Sequence, residues 1–377
     1  MLLSILIPTK DRYSTLIPVL DSIRSIKSKD YEVVIQDNSS DNFTILNYLQ
    51  LISDERLKYY YSKSRLSQTE NSDLAVKNSV GKFVCFIGDD DGILPQIIEV
   101  VKMMERRSIG IIKCNVPDYY WPKMRSNSTS QNVTGIISIN TFNYSFIKVE
   151  CRPELKKVLK KGGTKIGGLP CLYHGIVKRS VLDKIYQQCN SFFPGPSPDM
   201  ANAVALSFFE EYYWYLDIPI VISGKSIDSI GGQGVLHNHV NRIENVNHLP
   251  NDILKTWSKE IPAYWTGQTI WAESLLKTSE RCGHQEIKKQ MNFSHLYAAL
   301  IIFNWKYRNE IFKGFSGPIF SLKLMFSFFQ ILIERTKIFI KNRTINVACF
   351  RQNNVESIEK AIEIVGNMID YNKLKKF

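Results

Sequence analysis

The run Lys82-Phe83-Val84-Cys85-Phe86-Ile87-Gly88 ends in three consecutive aspartates, Asp89-Asp90-Asp91, with Pro95 four residues further on. A run this apolar, rich in β-branched and aromatic residues, predicts an interior strand of a parallel sheet covered on both faces. Ligands of open α/β sheets bind beyond the carboxyl ends of such strands. Three carboxylates crowded there repel one another unless something positive lies among them. A divalent cation carrying a phosphorylated molecule is the natural counter-charge, because Mg²⁺ and Mn²⁺ take oxygen ligands and share them with phosphates. Taken alone, the acidic triplet reads also as a solvated turn.

The preceding residues favour the first reading. Leu2 to Pro8 predicts a short buried strand, followed by the polar turn Thr9-Lys10-Asp11-Arg12. Leu16, Val19, Leu20 and Ile23 recur at helical spacing and give a helix with one apolar face. Tyr31 to Gln36 predicts a second strand, ending in Asp37-Asn38-Ser39-Ser40-Asp41. A helical stretch through Leu51, a strand over Leu57 to Tyr61 and a helix over Thr69 to Val80 follow. This alternation predicts right-handed βαβ units and a mostly parallel sheet flanked by helices. Polar clusters near Thr9, Asp37 and Asp89 then gather at one sheet edge, which is a candidate site.

Three segments carry a resemblance: Ser4 to Arg12, Val34 to Asp41, and Asn78 to Asp91, in that order. Together they resemble the family 2 glycosyltransferases, closely over residues 1–110 and more loosely to about 240. The resemblance implies a Rossmann-like GT-A α/β fold and inverting transfer from a nucleoside diphosphate sugar, with UDP favoured as the nucleotide. It implies Mn²⁺ or Mg²⁺ as cofactor. Pro8, Thr9 and Asp11 would line the nucleotide pocket, and Asp37 would accept a hydrogen bond from the base. Arg65 and Asn71 match positions that contact phosphate or base, although Arg65 reads equally as a surface arginine. The family pattern Asp-x-Asp-Asp falls on Gly88-Asp89-Asp90-Asp91, so its first aspartate is glycine here. Asp90 takes the metal position, Asp91 is a second metal candidate, and Asp89 faces either metal or ribose. Lys77 and Asn78 shape the turn beneath.

Inverting transfer needs a carboxylate base on the acceptor hydroxyl, across the sugar from the phosphates. Asp199 lies after the Pro-rich segment Phe192 to Pro198 and opens a helix carrying Val204, Leu206, Phe208 and Phe209. An Asp there serves as a helix cap in many proteins. The resemblance makes it the base, with Pro198 where the family has Glu. Glu210 and Glu211 are reserve candidates. His174, in a glycine-flanked strand after Gly167-Gly168, would contact acceptor or phosphate, or be a structural residue. His237 and His239 follow Gly231-Gly232-Gln233-Gly234 and read as a loop over the pyrophosphate or, by their alternate spacing, as zinc ligands.

The expected organisation is a GT-A domain over residues 1–245, divided at 110 into nucleotide and acceptor halves. A mainly helical, basic and aromatic extension would occupy 246–377. Seven scattered cysteines without a CxxC pair, and no secretory signal, predict reduced thiols and a cytoplasmic location. The net charge of +12 is concentrated C-terminally, with 19 basic and 11 acidic residues from Asn251 onward. Without a nucleic-acid motif, this charge points away from nucleic acid. The apolar segment Pro318 to Ile333 is short for a span and is followed by Arg335, Lys337, Lys341 and Arg343. It reads as a helix in the bilayer interface or as a core helix. The expected acceptor is a glycan or lipid-linked glycan of bacterial surface polysaccharide such as O-antigen or capsule, handled at the cytoplasmic face of the inner membrane. The alternatives are a sugar-1-phosphate nucleotidyltransferase, disfavoured because the first turn lacks glycine, and a catalytically decayed glycan-binding or membrane-scaffolding module.

Overall fold

The computed structural model describes residues 1–122, 134–235, 240–313, 318–344 and 349–374. Its thirteen strands there are β1 (Leu3–Thr9), β2 (Tyr31–Asp37), β3 (Leu57–Tyr61), β4 (Phe83–Phe86), β5 (Gly92–Ile93), β6 (Ile111–Asn115), β7 (Asp118–Tyr120), β8 (Ile136–Asn140), β9 (Phe146–Glu150), β10 (Gly175–Lys178), β11 (Tyr212–Pro219), β12 (Val221–Lys225) and β13 (Cys349–Gln352). Seven helices lie among the first twelve strands: α1 (Tyr13–Arg24), α2 (Phe43–Ile52), α3 (Gln68–Lys77), α4 (Ile97–Arg106), α5 (Cys151–Lys160), α6 (Arg179–Cys189) and α7 (Pro198–Phe209). The longer helices beyond them are Gly267–Arg281, Phe293–Phe303, Pro318–Thr344 and Ile358–Asn367.

Eight strands form the main sheet in the order β3-β2-β1-β4-β10-β6-β11-β9. The four N-terminal strands pair in parallel, as the apolar runs of β1, β2 and β4 predict. Alternation along them separates two layers. Ile5, Ile7, Val33, Ile35 and Cys85 face one core with α1 and α4. Leu6, Val34 and Val84 face another with α3, α6 and α7. Each such side chain, removed from water, contributes roughly 1.5–3 kcal/mol, and this burial on both faces fixes the register. The helix expected over Thr69 to Val80 runs from Gln68 to Lys77. It begins at a reciprocal cap in which Ser67 Oγ accepts from the Glu70 N–H and the Glu70 carboxylate from the Ser67 N–H.

A smaller sheet, β13-β8-β7-β12-β5, stands beside the tip of β4. Its strands come from segments that carry little periodic signal. The last of them lies within the extension over 246–377, expected to be mainly helical. β13 pairs antiparallel with β8, and Val355, Ile358, Ala361, Val365 and Ile369 are part of the same core as β1 and β2. The rest of the extension is helical. The Gly267–Arg281 helix packs on α7, and the Phe293–Phe303 helix lies against Pro318–Thr344. Among the described residues, no helix is long and apolar enough to cross a membrane.

Candidate active site

The parallel strands deliver their polar ends to one edge, where β1 stops at Thr9 opposite Asp37 of β2. Pro8, half-buried, is the penultimate residue of β1 and lies opposite Gln36. The loop after β1 carries Asp11 at φ 55°, in the left-handed region that Asp tolerates better than most residues. Its carboxylate accepts from Ser40 N–H (2.7 Å) and Ser40 Oγ (3.3 Å), and its own N–H donates to Ser39 Oγ. Asp11 thereby ties the β1 loop to the β2 loop.

Asp37 is fully buried. Its Oδ2 accepts the hydroxyls of Tyr13 (2.6 Å) and Tyr59 (2.8 Å), and Oδ1 accepts the Ser39 N–H. Burial, then the bond to Asp37, keeps the Tyr13 phenol protonated far above its ordinary range. A base contact at Asp37, as expected from sequence, therefore has to share an oxygen with these groups. Asn71, on α3, bridges the two strand ends by donating to the Thr9 and Gln36 carbonyls, and its buried Oδ1 has no partner. Arg65 was expected either at phosphate or base or as a surface arginine. It is exposed, and its guanidinium donates to the carbonyls of Asn247 (2.9 Å) and Leu249 (3.1 Å), clasping that later segment to the sheet edge.

The acidic triplet divides into two carboxylates that meet Arg12 and one that does not. Thr9 Oγ1 donates to Asp89 Oδ2 at 2.6 Å. One nitrogen of the Arg12 guanidinium bonds Asp89 Oδ1 and lies 3.1 Å from Asp90 Oδ1. The other oxygen of Asp90 accepts from the N–H and hydroxyl of Ser226, and its carbonyl accepts from the Trp121 indole. Asp91 is turned inward and fully buried, accepting from the N–H groups of Gly88 and Gly224, from Tyr173 Oη at 3.1 Å, and bonding His174 Nε2 at 2.7 Å. Burial pushes its pKa up, but the His174 charge and hydrogen bond and the two backbone donors bring it down to about 2. The expectation that Asp91 is a metal ligand does not fit this geometry, since both its oxygens are already committed to the scaffold. His174 is held at φ 62° and stacked on Tyr173, so it braces the floor of the triplet.

The residues that remain suit a divalent cation. Asp89 Oδ1 and Asp90 Oδ1 converge on one positive atom of Arg12. Two hard carboxylate oxygens are the usual protein share for Mg²⁺ or Mn²⁺, with phosphates and water completing the shell. No group of three or more His, Cys, Asp or Glu side chains able to hold a metal occurs among the described residues.

Asp199 opens α7, directly after Pro198 at its first position. Its Oδ1 accepts from Ser197 Oγ and the Met200 N–H, and its Oδ2 from the Trp271 indole N–H at 3.1 Å. The loop before it is clamped on two sides, with Asp73 of α3 holding Ser191 and the Phe192 N–H, and Ser274 Oγ accepting from the Ser197 N–H. Tyr173 donates its hydroxyl to Asp91. Burial foremost, then the charges of Asp91 and Asp90 and, more weakly, of Asp199, hold its phenol protonated well above the ordinary range. Asp199 and the triplet thus act on one ring. The reserve candidate Glu210 pairs with Lys184, and Glu211 is exposed. His237 and His239 lie outside the described residues.

Sequence reasoning quoted Arg12 without giving it a task, and did not assign Ser226, Gly224 or Trp271. A cation three residues beyond a strand tip that faces carboxylates was a usable signal for Arg12. The others come from distant elements, and nothing local marks them.

Residues 4–163 match the family model described as glycosyl transferase family 2. Over this segment the chain is similar to the family 2 glycosyl transferases. An uncharacterized glycosyltransferase of Rickettsia conorii is 29% identical over 108 residues, 28% of this chain and 18% of that protein. The GalNAc(5)-diNAcBac-PP-undecaprenol beta-1,3-glucosyltransferase of Campylobacter jejuni is 30% identical over 95 residues, 24% of this chain and 30% of that protein. The matched part thus spans less than a third of the curated relatives' length. Among solved structures, S. aureus TarS 1–349 in complex with UDP-GlcNAc aligns with a TM-score of 0.48 and 12% identity, covering 87% of this chain and 79% of that one.

Proposed function

We propose that the chain is an inverting glycosyltransferase that moves a sugar from a nucleoside diphosphate sugar, UDP-linked in the first instance, to a hydroxyl of a glycan or lipid-linked glycan. The Asp89 and Asp90 carboxylates converging on Arg12 at the strand tips, with Asp199 near enough for its charge to reach the Tyr173 phenol beside them, support this reading. One end provides a base and the other a site for a charged leaving group. Asp199 takes the acceptor proton, the freed oxygen attacks the anomeric carbon, and the bond from that carbon to the diphosphate oxygen breaks with its electron pair leaving on the nucleotide. The Asp199 oxygens are oriented beforehand by Trp271 and Ser197, so little rotamer freedom is lost at the reaction. Asp89 and Asp90 would hold Mg²⁺ or Mn²⁺, which when bound neutralises charge on the departing diphosphate. Thr9 and Ser226 fix those two carboxylates, and Arg12 adds a second positive group beside them.

The nucleoside would lie along Pro8, Thr9, Asp11, Asp37 and Asn71, whose buried Oδ1 is an acceptor without a partner. Work on bacterial surface polysaccharide at the cytoplasmic face of the membrane fits the Campylobacter relative, whose name specifies an undecaprenol-linked acceptor. The test is a thermal-shift screen of UDP, GDP, dTDP and CMP sugars with and without Mn²⁺, since a ligand selective for the folded state raises the melting temperature. A selective, Mn²⁺-enhanced shift that is lost in Asp90→Asn is the expected result. No shift with any sugar nucleotide would sink the proposal.

A further inference from the structure

The Pro318–Thr344 helix covers about 40 Å of length at 1.5 Å per residue, and its two sides differ in what they meet. Leu324, Ser327, Phe328 and Ile331 face the protein, packing on or near Ala298, Ala299 and Ile302. On the opposite side Leu322, Met325, Phe326, Phe329 and Ile333 recur at steps of three and four residues, the spacing of a single helical face. All five are more than half exposed, from 54% to 68%. A stripe of this size is unusual on a water-facing surface.

Charge borders it. Lys323 and Lys337 flank the stripe and are exposed, and the helix sequence holds five basic residues against one acidic. That one, Glu334, is paired with Lys161 at 3.1 Å. Arg335 lies over the Phe303 ring at 4.9 Å, and the chain continues into the exposed Trp305. Beside the stripe runs a groove of about 730 Å³, walled by Met291, Phe293, Leu322 and Phe326 with Lys289 and Lys323 at its margin. An apolar floor with ammonium groups at the rim has the chemistry of a lipid contact, acyl chains inward and anionic headgroups outward.

We propose that this face docks on an anionic phospholipid bilayer, the helix lying in the plane of the interface with the stripe inserted and Lys323 and Lys337 at headgroup level. A second copy of the chain is the competing occupant, and the basic border opposes it because it would face itself across a two-fold interface.

The test is flotation of the full chain with vesicles of phosphatidylcholine alone and with 30 mol% phosphatidylglycerol (a composition of the experiment, on the order of an anionic membrane). Binding is expected at least about fivefold greater on the anionic vesicles, falling as salt rises. The double variant Leu322→Glu, Phe326→Glu should lose it. So should Lys323→Glu with Lys337→Glu, which leaves the stripe intact. Both variants should keep the wild-type melting curve and the same sugar-nucleotide shift, so failure here is distinguishable from failure of the proposed function. Equal binding to neutral and anionic vesicles, no binding to either, or light scattering showing a dimer that Leu322→Glu, Phe326→Glu dissolves would each overturn the proposal.

Discussion

Trp271 donates its indole N–H to Asp199 Oδ2 across 3.1 Å, so the C-terminal helices hold one oxygen of the proposed base. Replacing Trp271 with Phe keeps an aromatic ring in place and removes only the donor. Turnover is expected to fall about tenfold, about 1.4 kcal/mol of barrier, with the donor KM unchanged. Turnover unchanged in this variant would show that Trp271 merely packs.

Arg12 neutralises Asp89 and Asp90, and its removal leaves two close like charges. Arg12→Ala should therefore melt lower than wild type in EDTA and gain more from added Mn²⁺ than wild type does. Equal Mn²⁺-induced shifts in the two proteins would separate Arg12 from the cation site. Differential scanning fluorimetry reads both quantities.

Gly224 on β12 runs against the backbone of the triplet, where an added Cβ would come within 1.7 Å of the Asp90 carbonyl oxygen. Since backbone cannot yield as a flexible side chain does, Gly224→Ala should cost more than about 2 kcal/mol in urea unfolding. Gly267, with nothing near its Cβ position, is the control and should tolerate Ala within about 0.5 kcal/mol or gain stability.

Glu273 is buried on the Gly267–Arg281 helix, and burial, against the Ser258 N–H and Lys277, lifts its pKa from 4.5 to about 7. Below pH 4.5 both folded and unfolded chains carry the proton. Between 4.5 and 7 the unfolded chain releases it first, so stability declines through that window and levels off above it. The decline is on the order of 3 kcal/mol. Glu273→Gln should flatten it, which denaturant melts at pH 5 and pH 8 would show.

The sheet that carries the site was legible because β1, β2 and β4 are buried on both faces and carry apolar runs, while β3 shows alternation. The start of α7 was legible because Pro198-Asp199 follows a breaker-rich loop. What could not be read was set by partners far along the chain. Asp91 is indistinguishable in sequence from its neighbours, yet Gly224 and His174 turn it into scaffold. Arg65 is drawn off to carbonyls more than 180 residues away. The smaller sheet joins segments from Gly92 to Gln352, and no window of local periodicity contains such pairings.

The return of β13 and the Ile358–Asn367 helix to the first core means that the N-terminal unit is finished only by the tail. A fragment cut at residue 245 would expose the greasy underside of Ile93 and Tyr119, to which Ile358 and Val355 are otherwise the lid. On a ribosome the nucleotide half must therefore wait, unsealed, until Ile369 has emerged.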